Sequence, residues 1–180
     1  MALLKLSRLG NPVLRQTTAQ LKQDEINTFD IQRLIDDMIE TMRDSDGVGI
    51  AANQVHVSKQ IAVIEITKLN PRYPDKEEIP LTVLINPKIT SHSKETGPDW
   101  EGCLSIPDFR GRVPRWKNVE VKANDRHGNP TSITAQGFFA RVIQHEIDHL
   151  NGKVYLDRIT DLTTLTHLRE FQQFWKQAVF

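Results

Sequence analysis

The segment His145-Glu146-Ile147-Asp148-His149 has the spacing of a metal-binding helix. Residues four apart on an α-helix are rotated by about 400°, so both imidazoles project from nearly the same face. Two imidazoles placed in this way can bind one divalent ion, and the glutamate between them can serve as a general base towards a water molecule. Because chance matches to this pattern are rare, the segment predicts a catalytic metal site rather than two surface histidines.

A catalytic site of this kind usually needs a third protein ligand. We favour Cys103, the chain's single cysteine, which lies in the segment Glu101–Pro107. A thiolate is a strong ligand for borderline divalent ions. Spacing alone leaves a second possibility open, in which the cysteine is only a small buried side chain and the third ligand lies downstream. The downstream candidates are Asp157, Asp161, His167 and Glu170.

A third segment, Gly47–Gln54, combines two glycines with a side-chain amide. Glycines let a backbone approach a ligand closely. The segment lacks the further glycine of a dinucleotide fingerprint and the Gly-Lys-Ser/Thr of a phosphate-binding loop, which argues against a nucleotide site. Gln54 is a candidate donor of a hydrogen bond to an oxyanion.

Composition excludes several classes of protein. The chain has 180 residues and a formal net charge of zero, whereas a protein built to grip a nucleic-acid backbone needs a basic surplus. One cysteine cannot form an intramolecular disulfide. We see no signal peptide and no apolar run approaching the roughly 20 residues of a membrane span, so we expect a cytoplasmic protein. A local basic patch remains possible at Arg110, Arg112, Arg115 and Lys117.

Apolar spacing predicts an α+β fold in a single domain covering residues 1–180. Helices are predicted over residues 28–43, 138–150 and 161–178. Strands are predicted over residues 60–66, 81–85, 119–123 and 131–135, the last two forming a hairpin, and a surface loop over residues 70–74.

The three segments together resemble the peptide deformylase family. That family's pattern reads Gly-x-Gly-x-Ala-Ala-x-Gln, then Glu-Gly-Cys-Leu-Ser, then Gln-His-Glu-x-Asp-His. This chain carries the pattern in the same order at Gly47–Gln54, Glu101–Ser105 and Gln144–His149. The resemblance implies antiparallel or mixed β-sheets around a central HExxH helix, with one helix before it and one at the C-terminus. It also implies hydrolysis of the N-formyl group from the starting methionine of nascent chains.

The resemblance assigns roles to individual residues. Cys103, His145 and His149 are the implied metal ligands, and Glu146 is the implied catalytic acid and base. Gln54 and the backbone N–H of Leu104 are the implied oxyanion donors. The implied metal is Fe²⁺, with Zn²⁺, Ni²⁺ or Co²⁺ able to substitute. The implied partners are N-formylmethionyl nascent peptides and the exit region of the ribosome, with no membrane and no dedicated nucleic-acid site.

Further residues are expected around the substrate. Gly49, with its neighbours, is expected to lie beside an extended peptide, and Arg110 to contact that peptide. Glu101 or Asp148 is expected to orient a ligand histidine. Ordinary core packing is the competing interpretation for Phe138 and Val142. A solvated helix face is the interpretation for Arg141. The expected pocket for the methionine side chain consists of Val48, Phe138 and Val142.

Three other functions compete with this interpretation. The first is an HExxH metalloprotease with an acidic third ligand. The second is a catalytically silent relative that binds the ribosome or the nascent chain, although pure binding does not require Glu146. The third is a structural zinc module, which usually closes its metal shell with a fourth protein ligand.

Overall fold

A computed structural model of the chain describes residues 2–68, 70–72 and 76–176. Its α-helices are α1 Gln23–Ile26, α2 Phe29–Asp44, α3 Gly137–Leu150 and α4 Leu168–Glu170. Its strands are β1 Gly49–Ala51, β2 Ile61–Ile66, β3 Ile79–His92, β4 Thr96–Cys103, β5 Ile106–Trp116, β6 Asn118–Asn124, β7 Pro130–Gln136 and β8 Thr166–His167. Short 3₁₀ turns cover Pro12–Arg15, Ala52–Val55, Tyr155–Arg158 and Leu162–Thr164.

A five-stranded antiparallel sheet with the order β1-β2-β3-β6-β7 separates two helices. Strand β2 is buried on both faces over residues 61–64, which explains the apolar run there. Ile61 and Val63 pack with the apolar stripe of α2, while Ala62 and Ile64 pack with α3. Among the described residues, strand β1 pairs only with β2, so its other backbone edge is left outside the sheet.

A second, three-stranded sheet has the order β4-β5-β8. Strands β4 and β5 form a long hairpin whose tight end is closed by the pairing of Cys103 with Ile106. Strand β4 is an edge strand, like β1 in the first sheet. The hairpin therefore delivers Cys103 to the place where the second sheet meets helix α3.

Most predicted elements agree with the structure to within a few residues, and the architecture of antiparallel sheets with few helices is confirmed. The predicted helix over residues 161–178 is wrong in its first part. Thr163 and Thr164 hydrogen-bond to Asp161 in a turn, and Thr166–His167 pairs with β5, so α-helical backbone begins only at Leu168. Such local side-chain bonds compete with a helix. A π-helical turn follows at Phe171–Trp175, and residues 177–178 lie outside the described part of the chain.

Two other predictions need adjustment. The strand predicted over residues 81–85 extends to His92, because the chain continues past an irregularity at Asn86. The Asn86 side chain bonds the backbone of Leu21 in both directions, which supports its left-handed conformation. Of the loop predicted over residues 70–74, residues 70–72 lie outside any helix or strand, with a turn at 71–72, and residues 73–74 lie outside the described residues.

Candidate metal centre

Cys103, His145 and His149 come together in the interior of the protein. Their ligand atoms all lie within 4.8 Å of one another. Helix α3 presents the two imidazole rings side by side, with centroids 5.0 Å apart, and the end of β4 presents the thiol 3.2 Å from His149 Nε2. Within the described residues this is the one group of three or more potential ligands that lie so close together.

The downstream alternatives for the third ligand are not part of this group. Asp157 forms an ion pair with Arg15, and Asp161 accepts hydrogen bonds from Thr163. His167, in strand β8, stands edge-on to the ring of Phe109 in strand β5. The geometry therefore supports the cysteine, and it removes the acidic ligand on which the metalloprotease interpretation depends.

The surroundings of Cys103 favour its thiolate form. Burial acts to raise the pKa of Cys103, but the neighbouring His149 and His145 outweigh burial and lower this pKa well below its usual value. The backbone N–H of Ser105 and the amide of Gln54 also donate towards Sγ, at 3.3 and 3.4 Å. A buried thiolate beside two imidazoles is a donor set that suits a borderline divalent ion.

A buried chain of charges fixes the orientation of His145. Its Nδ1 lies 2.9 Å from Glu101 Oε2, which leaves Nε2 available for a metal. Arg115 donates to both oxygens of Glu101, at 2.9 and 3.0 Å, and also to Asp148. Asp148 is in turn held by Arg158. Of the two acids expected to orient a ligand histidine, Glu101 contacts one directly, and Asp148 holds the arginine behind it.

Two arginines are placed differently from the sequence-based expectation. Arg115 is buried, so it is not part of a surface basic patch. Arg141 is also buried rather than on a solvated helix face, and it donates to Glu101 Oε1 at 2.7 Å and to the carbonyl of Val113. Although burial opposes ionisation, hydrogen bonds from His145 and Arg115 hold the pKa of Glu101 far below its ordinary value. The lowered pKa favours the ionised form of Glu101, which anchors the histidine.

Glu146 lies beside the metal ligands and is almost completely buried. Its Oε2 has no hydrogen-bond partner within the described part of the chain. Burial is the main reason that its pKa rises from 4.5 to about 7. A carboxylate packed against the backbone of Gly49 and tuned to this range can accept and return a proton near neutral pH.

Gln54 and Leu104 approach the centre from two different segments. The Gln54 side chain is fixed at both ends, because Oε1 accepts from the N–H of Ala51 at 2.9 Å and Nε2 donates to Ser105 Oγ at 3.2 Å. The extended N-terminal segment then ties the two segments together. The Ser7 N–H donates to the Gln54 carbonyl at 2.7 Å, and the Arg8 guanidinium donates to the Leu104 carbonyl.

A cavity opens next to the ligands, and residues of β1 and β4 form part of its wall. Val48, Gly49, Phe138 and Val142 all line this cavity, as do Gln54, Leu104 and Glu146. Arg110 does not line it. The guanidinium of Arg110 lies instead against Gly102, on the neighbouring strand, where a side chain larger than glycine would collide with it.

The sequence did not predict that Arg115 and Arg141 are buried beside Glu101, or that Trp100 lines the cavity. A signal for Arg115 exists in the pattern, because it lies two residues from Val113 and so shares the buried face of strand β5. Neither Arg141 nor Trp100 carries such a signal, since their partners come from elements far away in the sequence.

A buried thiol and two imidazoles beside a carboxylate are typical of enzymes that use one metal ion for hydrolysis. A family model described as polypeptide deformylase matches residues 3–164. The chain therefore belongs to the polypeptide deformylase family.

Individual relatives agree with this assignment. The chain is 45% identical over 172 residues to peptide deformylase 2 of Nostoc sp., covering 95% of this chain and 94% of that one. It is 43% identical over 159 residues to a peptide deformylase of Leptospira biflexa, covering 88% and 89%.

Solved structures of peptide deformylases are also similar to this chain. A Met-Ala-Ser-bound class I type b peptide deformylase from Acinetobacter baumannii superimposes with a TM-score of 0.84 at 40% identity, covering 88% of this chain and 99% of that one. A Synechococcus elongatus peptide deformylase in complex with actinonin gives 0.78 at 37% identity, covering 94% and 85%.

Proposed function

We propose that the protein removes the N-formyl group from the N-terminal methionine of newly synthesised chains and releases formate. The observation that carries the proposal is the position of Glu146. Its buried carboxylate stands beside a Cys/His/His group and faces a cavity bordered by two open strand edges. Such a site can hold the end of an extended peptide next to a metal and a proton acceptor.

Cys103, His145 and His149 would hold the metal ion, which we propose to be Fe²⁺, with Zn²⁺, Ni²⁺ or Co²⁺ able to substitute. The donor set fits such an ion, because one thiolate and two imidazoles suit several borderline cations. When bound, the ion supplies Lewis acidity, which makes a coordinated water molecule easier to deprotonate. Metal analysis of anaerobically purified protein tests its identity.

The chain's own residues would carry the proton and hold the developing charge. Glu146 accepts a proton from the attacking water, whose oxygen forms a bond to the formyl carbon. The Gln54 side-chain amide and the Leu104 N–H donate to the carbonyl oxygen as it becomes negative. Glu146 then delivers the proton to the amide nitrogen as the C–N bond breaks. Formate and a free α-amino group are the products.

The two strand edges suggest how the substrate binds. An extended peptide placed between β1 and β4 can bond to the backbone around Gly49 in the manner of an added strand. We assign the methionine side chain to the apolar wall formed by Val48, Phe138 and Val142. Arg110 lies against Gly102 rather than in the cavity wall, and its proposed role is to contact the peptide beyond the methionine.

The cellular setting completes the proposal. We propose that residues 1–180 form one deformylase domain that acts in the cytoplasm on nascent chains, near the exit region of the ribosome. A single free cysteine suits a reducing compartment. Within the described residues, no helix is long and apolar enough to cross a membrane.

Formate release from formyl-Met-Ala-Ser, with acetyl-Met-Ala-Ser as the matched control, tests the function. We expect the metal-loaded protein to cleave only the formyl peptide. The Cys103→Ala variant should lose metal and activity together. Retained metal and peptidase activity in Cys103→Ala would support a metalloprotease instead. No formate at full metal occupancy would refute the proposed reaction.

A further inference from the structure

Trp100 occupies a prominent place in the wall of the cavity. It lies on β4 directly before Glu101, and it lines the same cavity as Cys103 three residues further along the strand. Its side chain is half-buried. Neither the metal group nor the proton transfer described above uses it.

Two aromatic residues from the C-terminal helical segment hold the Trp100 indole in place. The ring of Phe171 meets it edge-on with centroids 4.9 Å apart, and the ring of Trp175 meets it at a tilt with centroids 5.5 Å apart. Aromatic pairs favour these arrangements. These two ring contacts restrict the indole, so the C-terminal segment helps to shape the cavity wall.

The strand spacing indicates which part of a peptide reaches this indole. Three residues along a strand span roughly 10 Å, so Trp100 lies about that far along β4 from Cys103. A peptide extended along the edge of β4, with its formyl carbon at the metal ligands, covers the same distance at the third residue. The first residue is the methionine, whose proposed wall is formed by residues of α3 and Val48.

We propose that Trp100, held by Phe171 and Trp175, is a specificity-determining residue that selects a bulky apolar side chain at the third position of the formyl peptide. The proposal rests on the proposed deformylase function. A fixed indole face offers apolar area and no charge, so it rewards burial of a phenylalanine or leucine more than of a serine. Because this contact is remote from the reacting atoms, it acts mainly on KM.

The test compares formyl-Met-Ala-Phe-amide with formyl-Met-Ala-Ser-amide. We expect the wild-type protein to prefer the phenylalanine peptide about tenfold in kcat/KM, mostly through KM. Trp100→Ala and the double variant Phe171→Ala/Trp175→Ala should reduce the preference to about twofold or less, while Trp100→Phe should retain most of it. Phe174→Ala is the matched control, since this ring lies in the same helical turn and is 59% exposed.

Each outcome decides the matter. A preference that persists in Trp100→Ala overturns the proposal, and so does a Phe174→Ala variant that loses as much as the double variant. Zinc content and thermal unfolding report whether each variant folds. If Trp100→Ala does not fold, the double variant and Phe174→Ala decide the question. Equal cleavage of both peptides by the wild-type protein refutes this inference alone, whereas cleavage of neither refutes the proposed function.

Discussion

Replacing Glu146 by glutamine should stabilise the metal-free protein at neutral and alkaline pH. The carboxyl group is buried, and its Oε2 has no hydrogen-bond partner within the described residues. Ionising such a group in the folded state is costly, because the interior solvates charge poorly. Glutamine has nearly the same shape and no charge, so the substitution removes this cost while the packing is kept.

The size of the effect follows from the pKa of Glu146. Folding raises this pKa from 4.5 to about 7, so the folded state binds the proton more tightly than the unfolded state does. The free energy of unfolding therefore falls as pH rises from 4.5 to 7 and is constant above that window. The full penalty is roughly 3 kcal/mol, whereas at pH 5 it is below about 1 kcal/mol.

Thermal and urea unfolding of the metal-free wild-type and Glu146→Gln proteins at pH 5 and pH 8 test this reasoning. We expect nearly equal stability at pH 5 and a melting temperature roughly 6–12 °C higher for the variant at pH 8. Saturating Zn²⁺ should shrink the difference, because a nearby cation favours the ionised carboxylate. A variant that is no more stable than wild type at pH 8 would show that Glu146 is not held in a desolvated, charge-disfavouring site.

Three other substitutions probe separate parts of the centre. Gly49→Ala places a Cβ 2.8 Å from Glu146 Cδ, so kcat should fall roughly 10- to 100-fold with zinc content unchanged. Gly97→Ala is the control, because its Cβ would have no neighbour closer than 3.8 Å, and it should leave steady-state formate release intact. Gln54→Ala removes a proposed oxyanion donor and should lower kcat roughly 100-fold in the same assay, with a smaller effect on KM. Arg115→Met leaves the buried carboxylates of Glu101 and Asp148 without their shared partner. Urea unfolding should therefore show that the free energy of unfolding falls by about 3–5 kcal/mol, and competition with a chelator should show weaker zinc binding. Unchanged kcat in the first two cases, or unchanged stability and zinc affinity in the third, would contradict the assigned contacts.

Helices α2 and α3 and the histidine pair of the metal group could be predicted because their signals are local. Apolar residues at helical spacing mark α2 and α3, and the spacing of His145 and His149 puts both rings on one face of α3. The apolar run at residues 61–64 predicts strand β2, and it is apolar because both faces of the strand are covered by helices there.

The hairpin of β4 and β5 could not be recognised from local sequence. Pro98 and Pro114 face each other in the register, and prolines disfavour strand assignment because they lack an N–H. Pairing across the hairpin and the burial of Glu101 and Cys103 against α3 decide the structure there. The buried arginines escaped prediction for a related reason. Arg115 and Arg141 are buried because Glu101, Asp148 and the carbonyl of Val113, which come from other elements, accept their hydrogen bonds.

The most direct test of the central claim is formate release by Glu146→Gln at a measured zinc occupancy equal to that of the wild type. The substitution keeps the shape of the side chain and removes its ability to take a proton. We predict at least a 100-fold lower kcat on formyl-Met-Ala-Ser, with zinc still bound. Wild-type turnover by this variant at equal occupancy would contradict the account, because the proton would then have to travel through a different group.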